Sequence, residues 1–337
     1  MQFELFAFSS ARQSSSSIEM SSSLLGSNDH LFGESSEREF TRDGMTERRR
    51  DDSDITVVIP SLGRVILRHV LDALERGTVW PARVIVVDQG RCAEIGAMLD
   101  AVKSRSFDTL WIASEQTGRA AGVNRGIERV TTRFVAITDD DCVPQDDWLE
   151  RMRGSLQEHP TAILTGRVEA GEGEGVVSVV TDKQPWVQRR PALRFDRLSG
   201  GNMAASRAVL DRLGGLDEDQ CLRTAEDGEF AYRALRAGVP IVYAPDVVVR
   251  HLGWRDEQQR LAQYASYARS QGGFYGKYLR RGDLFIALRT GVHLMRAVRR
   301  WMLGAVCGDR EIAGNGRAYV VGLLPGIRAG WRSGTSR

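Results

Sequence analysis

"FVAITDDDCVPQDDWL", Phe134 to Leu149, sets an apolar run of strand length directly against three consecutive carboxylates, Asp139, Asp140 and Asp141. "FVAIT" has the uninterrupted apolar, partly β-branched character of a strand buried on both faces, as in parallel sheets. Like charges side by side repel, so a folded chain keeps three acids together where something cationic neutralises them. A hard divalent ion with oxygen ligands would do so. Plainer readings compete. Asp146 and Asp147 precede "WLERMRGSL", where acids favour a helix start, but capping leaves the three acids on the sheet side of Pro144 unexplained. A calcium loop would need an oxygen ligand and a glycine where Val143 and Pro144 stand, and a helix before it. A solvated acidic turn is the remaining alternative.

Working upstream, the same texture repeats. "ITVVIP" (55–60) reads as a buried strand, followed by a helical stripe of Ile66, Val70, Leu71 and Leu74 that stops at Gly77. "RVIVVD" (83–88), a helix around 93–103, "TLWIA" (109–113) and a helix around 119–130 lead into "FVAIT". Strand alternating with helix predicts a Rossmann-like α/β fold: a mostly parallel central sheet with helices on both faces. Ligands of such sheets sit beyond the carboxyl ends of the strands. That rule puts Asp88, closing the second strand, on the same rim as Asp139 to Asp141.

Bulk composition agrees with a soluble α/β protein. The 337 residues are 42% hydrophobic and 27% charged, with a formal charge of +2. Residues 1–54 are Ser-rich and then charged ("TERRRDD"), without apolar periodicity, which predicts disorder; Met45 is an alternative start. The four cysteines are widely separated, which argues against a zinc knuckle or a disulfide scaffold and for a reducing, cytoplasmic setting. From Lys277 onward twelve basic residues face three acidic ones. Within that segment, "LFIALRTGVHLMRAVRRWMLGAV" (284–306) places Leu284, Leu288, Val292, Met295, Val298, Met302 and Val306 at helical spacing. Arg289, His293, Arg296 and Arg300 fall on another face. Such a cationic amphipathic helix has two destinations, packing on the main domain or peripheral contact with an anionic membrane at its inner face. Nucleic acid fits poorly, because aromatic residues do not interleave with the basic ones.

The pieces together resemble family 2 glycosyltransferases with the GT-A fold, over roughly residues 55–255. They occur in the family's order: "VVIPSLGR" (57–64), "IVVDQG" (85–90), "GRAAGVNRGI" (118–127), "TDDDCVP" (138–144), "GGNMAASRAVLDRLGGLDE" (200–218), "AEDGEFAYRALRAG" (225–238) and "VYAPDVVVRHLG" (242–253). The resemblance implies a nucleoside-diphosphate sugar donor, a carbohydrate or lipid-linked acceptor, and Mn²⁺ or Mg²⁺. Pro60, Asp88, Gly118, Arg119, Asn124, Asp139 and Asp140 would bind the donor nucleotide, with Asp88 receiving the base. Asp141, Asp139 and His251 would hold the metal. Asp227 would be the catalytic base, with Glu226 beside it; Gly200, Gly201 and Asn202 would line the donor–acceptor junction. Trp186 would stack on a sugar or plug an apolar gap. A single displacement with inversion follows from that set. The remaining 256–337 would be a basic, mainly helical extension.

Some positions depart from the family pattern. Gln89 stands where an acid usually follows Asp88, "PSLGR" lacks the tyrosine and asparagine common at that strand end, and Val123 replaces a frequent arginine, with Arg119 and Arg125 nearby. Two other readings share part of this logic. A sugar-phosphate nucleotidyltransferase would open with a glycine-rich phosphate loop, whereas the first strand here is followed by Gly63 alone. A catalytically silent sugar-binding protein would keep the fold without turnover.

Overall fold

A computed structural model describes residues 54–171, 179–252 and 257–333, with side chains of 257–262 set aside. The disorder predicted for residues 1–54 lies outside the described residues, apart from Asp54.

The predicted strands and helices form in order: β1 (Ile55–Ser61), α1 (Leu67–Arg76), β2 (Arg83–Asp88), α2 (Ala93–Lys103), β3 (Asp108–Ala113), α3 (Arg119–Ile127) and β4 (Phe134–Thr138). These four strands pair in parallel, in the order β3-β2-β1-β4. Their side chains alternate with period two. Val57, Ile59, Val84, Val86 and Ala136 pack beneath α1 and α2, while Val58, Ile85, Val87, Val135 and Ile137 pack beneath α3. Two apolar layers therefore flank one sheet, which is why the strands read as continuous apolar runs.

Beyond β4 the sheet is mixed. The elements are β5 (Cys142–Pro144), α4 (Trp148–Glu158), β6 (Ile163–Ala170), β7 (Trp186–Gln188), β8 (Asn202–Ser206), α5 (Arg207–Leu213), a 3₁₀ turn (Gln220–Leu222), α6 (Glu226–Arg236) and β9 (Ile241–His251). β8 inserts antiparallel between β4 and β6, and β9 runs parallel to β6 but antiparallel to β5 and β7. In this arrangement His251 at the end of β9 lies directly across from Cys142, bringing together residues more than a hundred positions apart.

Three long helices complete the described chain: α7 (Glu257–Arg280), α8 (Leu284–Cys307) and α9 (Arg310–Ser333). None is long and apolar enough to cross a membrane among the described residues. Leu222 and Tyr232 share an apolar cluster with Phe274, Tyr275, Ile286 and Leu323, so the helices are fastened to α6 by a common core.

The amphipathic reading of 284–306 meets an unexpected orientation. Leu284, Leu288, Met295, Met302 and Val306 are exposed, and the face bearing the cations turns inward. Arg289 is 2% exposed and its Nη1 donates to Asp196 Oδ2 at 2.7 Å. The Nε2–H of His293 donates to the Arg194 carbonyl, and Nδ1 accepts from the Tyr275 hydroxyl at 3.0 Å. Burial pushes that imidazole down to about 4, keeping it neutral. The helix does pack on the domain, by a face that sets Arg289 and His293 alongside the buried Ile286 and Ala297.

The helix-start reading of Asp146 and Asp147 also needs correction. Asp147 sits at the N-cap of α4 without capping it; its carboxylate pairs with Arg151 one turn on.

Candidate active site

The three consecutive acids leave β4 in different directions. Asp140 turns inward and is 1% exposed. It accepts from Ser61 Oγ at 2.7 Å and from Arg64 Nε at 3.1 Å, with a second bond from Arg64 Nη2. Arg64 Nη1 also lies 3.1 Å from Asp141 Oδ2. Burial raises the Asp140 carboxyl, and Arg64 opposes that; burial would lower Arg64, but the two aspartates outweigh it. Arg64, four residues past Pro60, is a site residue that pattern reading missed. Its one signal was the cation ending "PSLGR".

Asp141 faces β9. His251 Nε2 is 3.5 Å from Asp141 Oδ1, and the Leu252 N–H donates to the Asp141 carbonyl at 2.8 Å. One donor atom each from Asp141, Cys142 and His251 lie within 4.8 Å of one another. Carboxylate and imidazole are donors that Mn²⁺ accepts. The Cys142 thiol, pushed well above its ordinary value by burial and the flanking aspartates, stays protonated and is a weak ligand.

Asp139 points the other way, toward α6. Arg119 Nε donates to Asp139 Oδ1 at 2.7 Å, Nη2 donates to the Gly200 carbonyl at 2.6 Å, and Nη1 lies 3.6 Å from Glu226 Oε1. Asp227 belongs to the same charge cluster and raises Arg119 further. Glu226 and Asp227 occupy the first turn of α6, where the helix dipole favours acids. Glu226 is 5% exposed; burial first, then the Asp227 carboxylate, push it up to about 8. Asp227 is also raised by burial, against Arg119 and the backbone N–H groups of Gly228 and Gly200. Glu226 Oε2 and Arg119 Nη1 are buried without a hydrogen-bond partner. Both residues line a shallow cleft between the start of α3 and the 217–226 segment.

Glycines let these groups approach. A Cβ on Gly200 would stand 2.9 Å from the Arg119 guanidinium carbon, and one on Gly201 would stand 2.9 Å from Cys142 Sγ and 3.1 Å from Asp139 Oδ2. Gly118 holds the N-cap of α3 at φ 121, a backbone that side-chain-bearing residues rarely adopt. Gln89, the departure after Asp88, pins that turn: its Nε2 donates to the Gly118 carbonyl at 2.8 Å and its Oε1 accepts from the Gly118 N–H at 3.3 Å.

Other expected residues are placed differently. Asp88 is fully buried and accepts from the N–H groups of Gly90 and Cys92 and from Trp111 Nε1 at 2.9, 2.7 and 3.2 Å. It lies beside Ser61 in register, so it shares the rim, but its carboxylate holds the loop after β2. Asn202 is likewise buried. It accepts from Trp148 Nε1 at 2.9 Å and donates to the carbonyls of Arg167 and Val247, clipping the strands together instead of lining the donor–acceptor junction. Trp186 stacks on Tyr243 at 5.0 Å, with Arg197 over its ring; it packs against the core. Asn124 bonds the 216–218 segment through Leu216 and Glu218, and Pro60 supports α3 under Gly122.

Comparison with known proteins identifies the family and the fold. A pre-mycofactocin glycosyltransferase of Mycobacterium tuberculosis is 31% identical over 230 residues, 65% of this chain and 46% of that protein. The chain thus spans about half the length of the curated relatives it matches first. Glycosyltransferase AglE of Haloferax volcanii is 26% identical over 58% of this chain and 66% of its own. Among solved structures, the mannosyltransferase PcManGT from Pyrobaculum calidifontis, in complex with GDP-Man and Mn²⁺, superposes with a TM-score of 0.53 at 18% identity, covering 84% of this chain and 87% of that one. S. aureus TarS 1–349 gives 0.52 at 15% identity over 79% and 90%. The fold is GT-A. The model of the family described as "Glycosyltransferase like family 2" matches residues 52–271, well over half the sequence, and the chain belongs to that family.

Proposed function

We propose that the protein transfers a sugar from a nucleoside-diphosphate sugar to an acceptor hydroxyl, with inversion at the anomeric carbon, in the synthesis of a cell-surface polysaccharide, glycolipid or glycoconjugate. The observation that carries this reading is the Asp139–Arg119–Glu226/Asp227 cluster, whose Arg119 and Glu226 line the cleft. Transfer by direct displacement needs a base at the incoming hydroxyl. Asp227, partly exposed and with its carboxyl raised above the ordinary value by burial, suits that role. Glu226, pushed up to about 8, retains its proton near pH 7 and would offer it as a hydrogen bond to a ligand. Arg119 fixes the spacing between the pair and Asp139.

With Glu226 protonated, four carboxylates, Asp139, Asp140, Asp141 and Asp227, face two guanidiniums, Arg64 and Arg119. The negative excess fits a divalent cation held by Asp141 and His251 with Asp139 near by. Bound there, Mn²⁺ or Mg²⁺ would supply Lewis-acid stabilisation of charge on the departing diphosphate. The residues of the chain do the rest: Gly118 and Gln89 shape the start of α3 for the donor, Gly200 and Gly201 leave room beside Asp139, and α6 presents the base. PcManGT with GDP-Man and Mn²⁺ supports the donor and metal classes by analogy of fold. A cytoplasmic protein at the inner face of a membrane suits a lipid-linked acceptor.

One feature favours a catalytically silent relative: Arg64 and Arg119 already neutralise carboxylates from within. Turnover separates the two. Wild-type protein with Mn²⁺ is screened against uridine, guanosine, thymidine and cytidine diphosphate sugars by thermal shift and by donor hydrolysis or transfer. Asp227→Asn should keep donor-induced stabilisation and lose on the order of 10²–10⁴ in rate. Absence of wild-type turnover across the panel, or full activity in Asp227→Asn, overturns the reading.

A further inference from the structure

We infer that the outer face of α8 is a docking surface for an anionic phospholipid membrane, on which the helix lies in plane. This inference does not depend on the catalytic reading. The exposed stripe runs the whole helix: Leu284 is 82% exposed, Leu288 57%, Met295 65%, Met302 64% and Val306 85%. At 1.5 Å per residue it extends about 33 Å. Monomeric soluble proteins rarely leave so long an apolar strip uncovered, and such strips mark interaction sites.

The orientation is built in. Turning the helix over would put its leucines and methionines inside, yet the inward face holds Arg289 against Asp196, both almost fully buried, and a neutral His293 between Tyr275 and the Arg194 carbonyl. These specific partners lock the polar side in. Packing among the helices follows the same logic. Gly272 meets Gly326 of α9, and Gly322 meets Ala268, with a Cβ on either standing 2.9 and 2.8 Å from its neighbour. Gly304 and Gly316 perform the same task between α8 and α9.

Charge selects the occupant. Seven exposed arginines lie between residues 280 and 332, against one exposed acid, Asp309. Arg281 precedes the stripe, Arg299 flanks it and Arg310 follows it. A cationic border round an apolar strip matches anionic headgroups above acyl chains. A neutral protein surface would meet the strip and waste the border. No described helix can cross a bilayer, so the contact is peripheral.

The test is flotation of the full chain with phosphatidylcholine vesicles, with and without phosphatidylglycerol, at low and high salt. The expected result is binding to the anionic vesicles, weakened by salt because screening acts on the arginines. The triple variant Leu288→Glu/Met295→Glu/Met302→Glu, checked for folding by circular dichroism, should lose at least about tenfold in partitioning. The variant Arg281→Gln/Arg299→Gln/Arg310→Gln keeps the stripe and should lose the preference for phosphatidylglycerol. Failure of the wild type to float, or undiminished flotation of the triple glutamate variant, overturns the inference. So does a lipid-free dimer that the glutamates dissociate, with no vesicle binding, which would assign the face to a second copy of the chain.

Discussion

Replacing Glu226 with glutamine removes one buried proton site and should change how stability depends on pH. The carboxyl is shifted from its ordinary 4.5 up to about 8, chiefly by burial. Between those values the unfolded chain has released the proton and the folded chain has kept it. The unfolded state binds fewer protons, so wild-type stability is fully present below the unfolded value and falls as pH rises through the window, by about 1.36 kcal/mol per unit. Integrated from pH 5 to pH 9, the loss comes to about 4 kcal/mol. Glutamine has nothing to ionise. Glu226→Gln should therefore gain about 4 kcal/mol on the wild type between pH 5 and pH 9, a relative Tm change on the order of 10 °C. Urea unfolding of both proteins at the two pH values, in chelator and at fixed ionic strength, measures it; titrating groups remote from Glu226 cancel in the difference, and Asp227, which shares its field, titrates with it. A gap between variant and wild type that stays within about 1 kcal/mol across that range would show that Glu226 ionises freely in the fold, and the assignment of Asp227 alone as base would lose its basis.

Arg64→Met strands Asp140 in a site 1% exposed and should destabilise by about 3 kcal/mol in chelator; Mn²⁺ should restore more stability to the variant than to the wild type in a thermal melt, and an equal response would remove the ion from that corner. Arg289→Met leaves the buried Asp196 charge unpaired, so chemical denaturation should show a loss of about 3–5 kcal/mol that Arg289→Met/Asp196→Leu largely recovers. Gly326→Ala drives a methyl into the Arg269 carbonyl and Gly272 of α7 and should lower the Tm by several degrees, whereas Gly291→Ala, open on all sides, should raise stability by about 0.5–1 kcal/mol.

The parallel half of the sheet was legible because both of its faces are covered: Val57 and Val58 must both be apolar, and so must Ile85 and Val86. The acids closing β2 and β4 were legible by the rule that strand ends carry ligands. What each carboxylate does there was not. Asp88 and Asp139 look alike in sequence, yet one is saturated by two backbone amides and an indole while the other meets Arg119; the difference lies in a turn and in Trp111, twenty-three residues on. Asn202 reads like a polar residue in a glycine loop, but the antiparallel insertion of β8 turns it into the core. Arg64 escaped notice because an ion pair to Asp140 spans seventy-six positions and leaves no periodic trace. The helix at 284–306 was legible as amphipathic; which side faces the domain was decided by Asp196 and Tyr275, which no pattern within the helix can reveal.

The shared cluster of Tyr232, Phe274, Tyr275, Ile286 and Leu323 has a consequence for dissection of the chain. Cutting near residue 255, where the last strand ends, would strip the outer side of the helix that presents Glu226 and Asp227 and leave Tyr232 wet. Tyr278, whose hydroxyl donates to Glu229 one turn farther along that helix at 2.7 Å, would leave with the fragment. A truncated chain would keep every residue of its cleft and still lose the brace on the helix that carries Glu226 and Asp227, so the terminal helices belong to the same folded core.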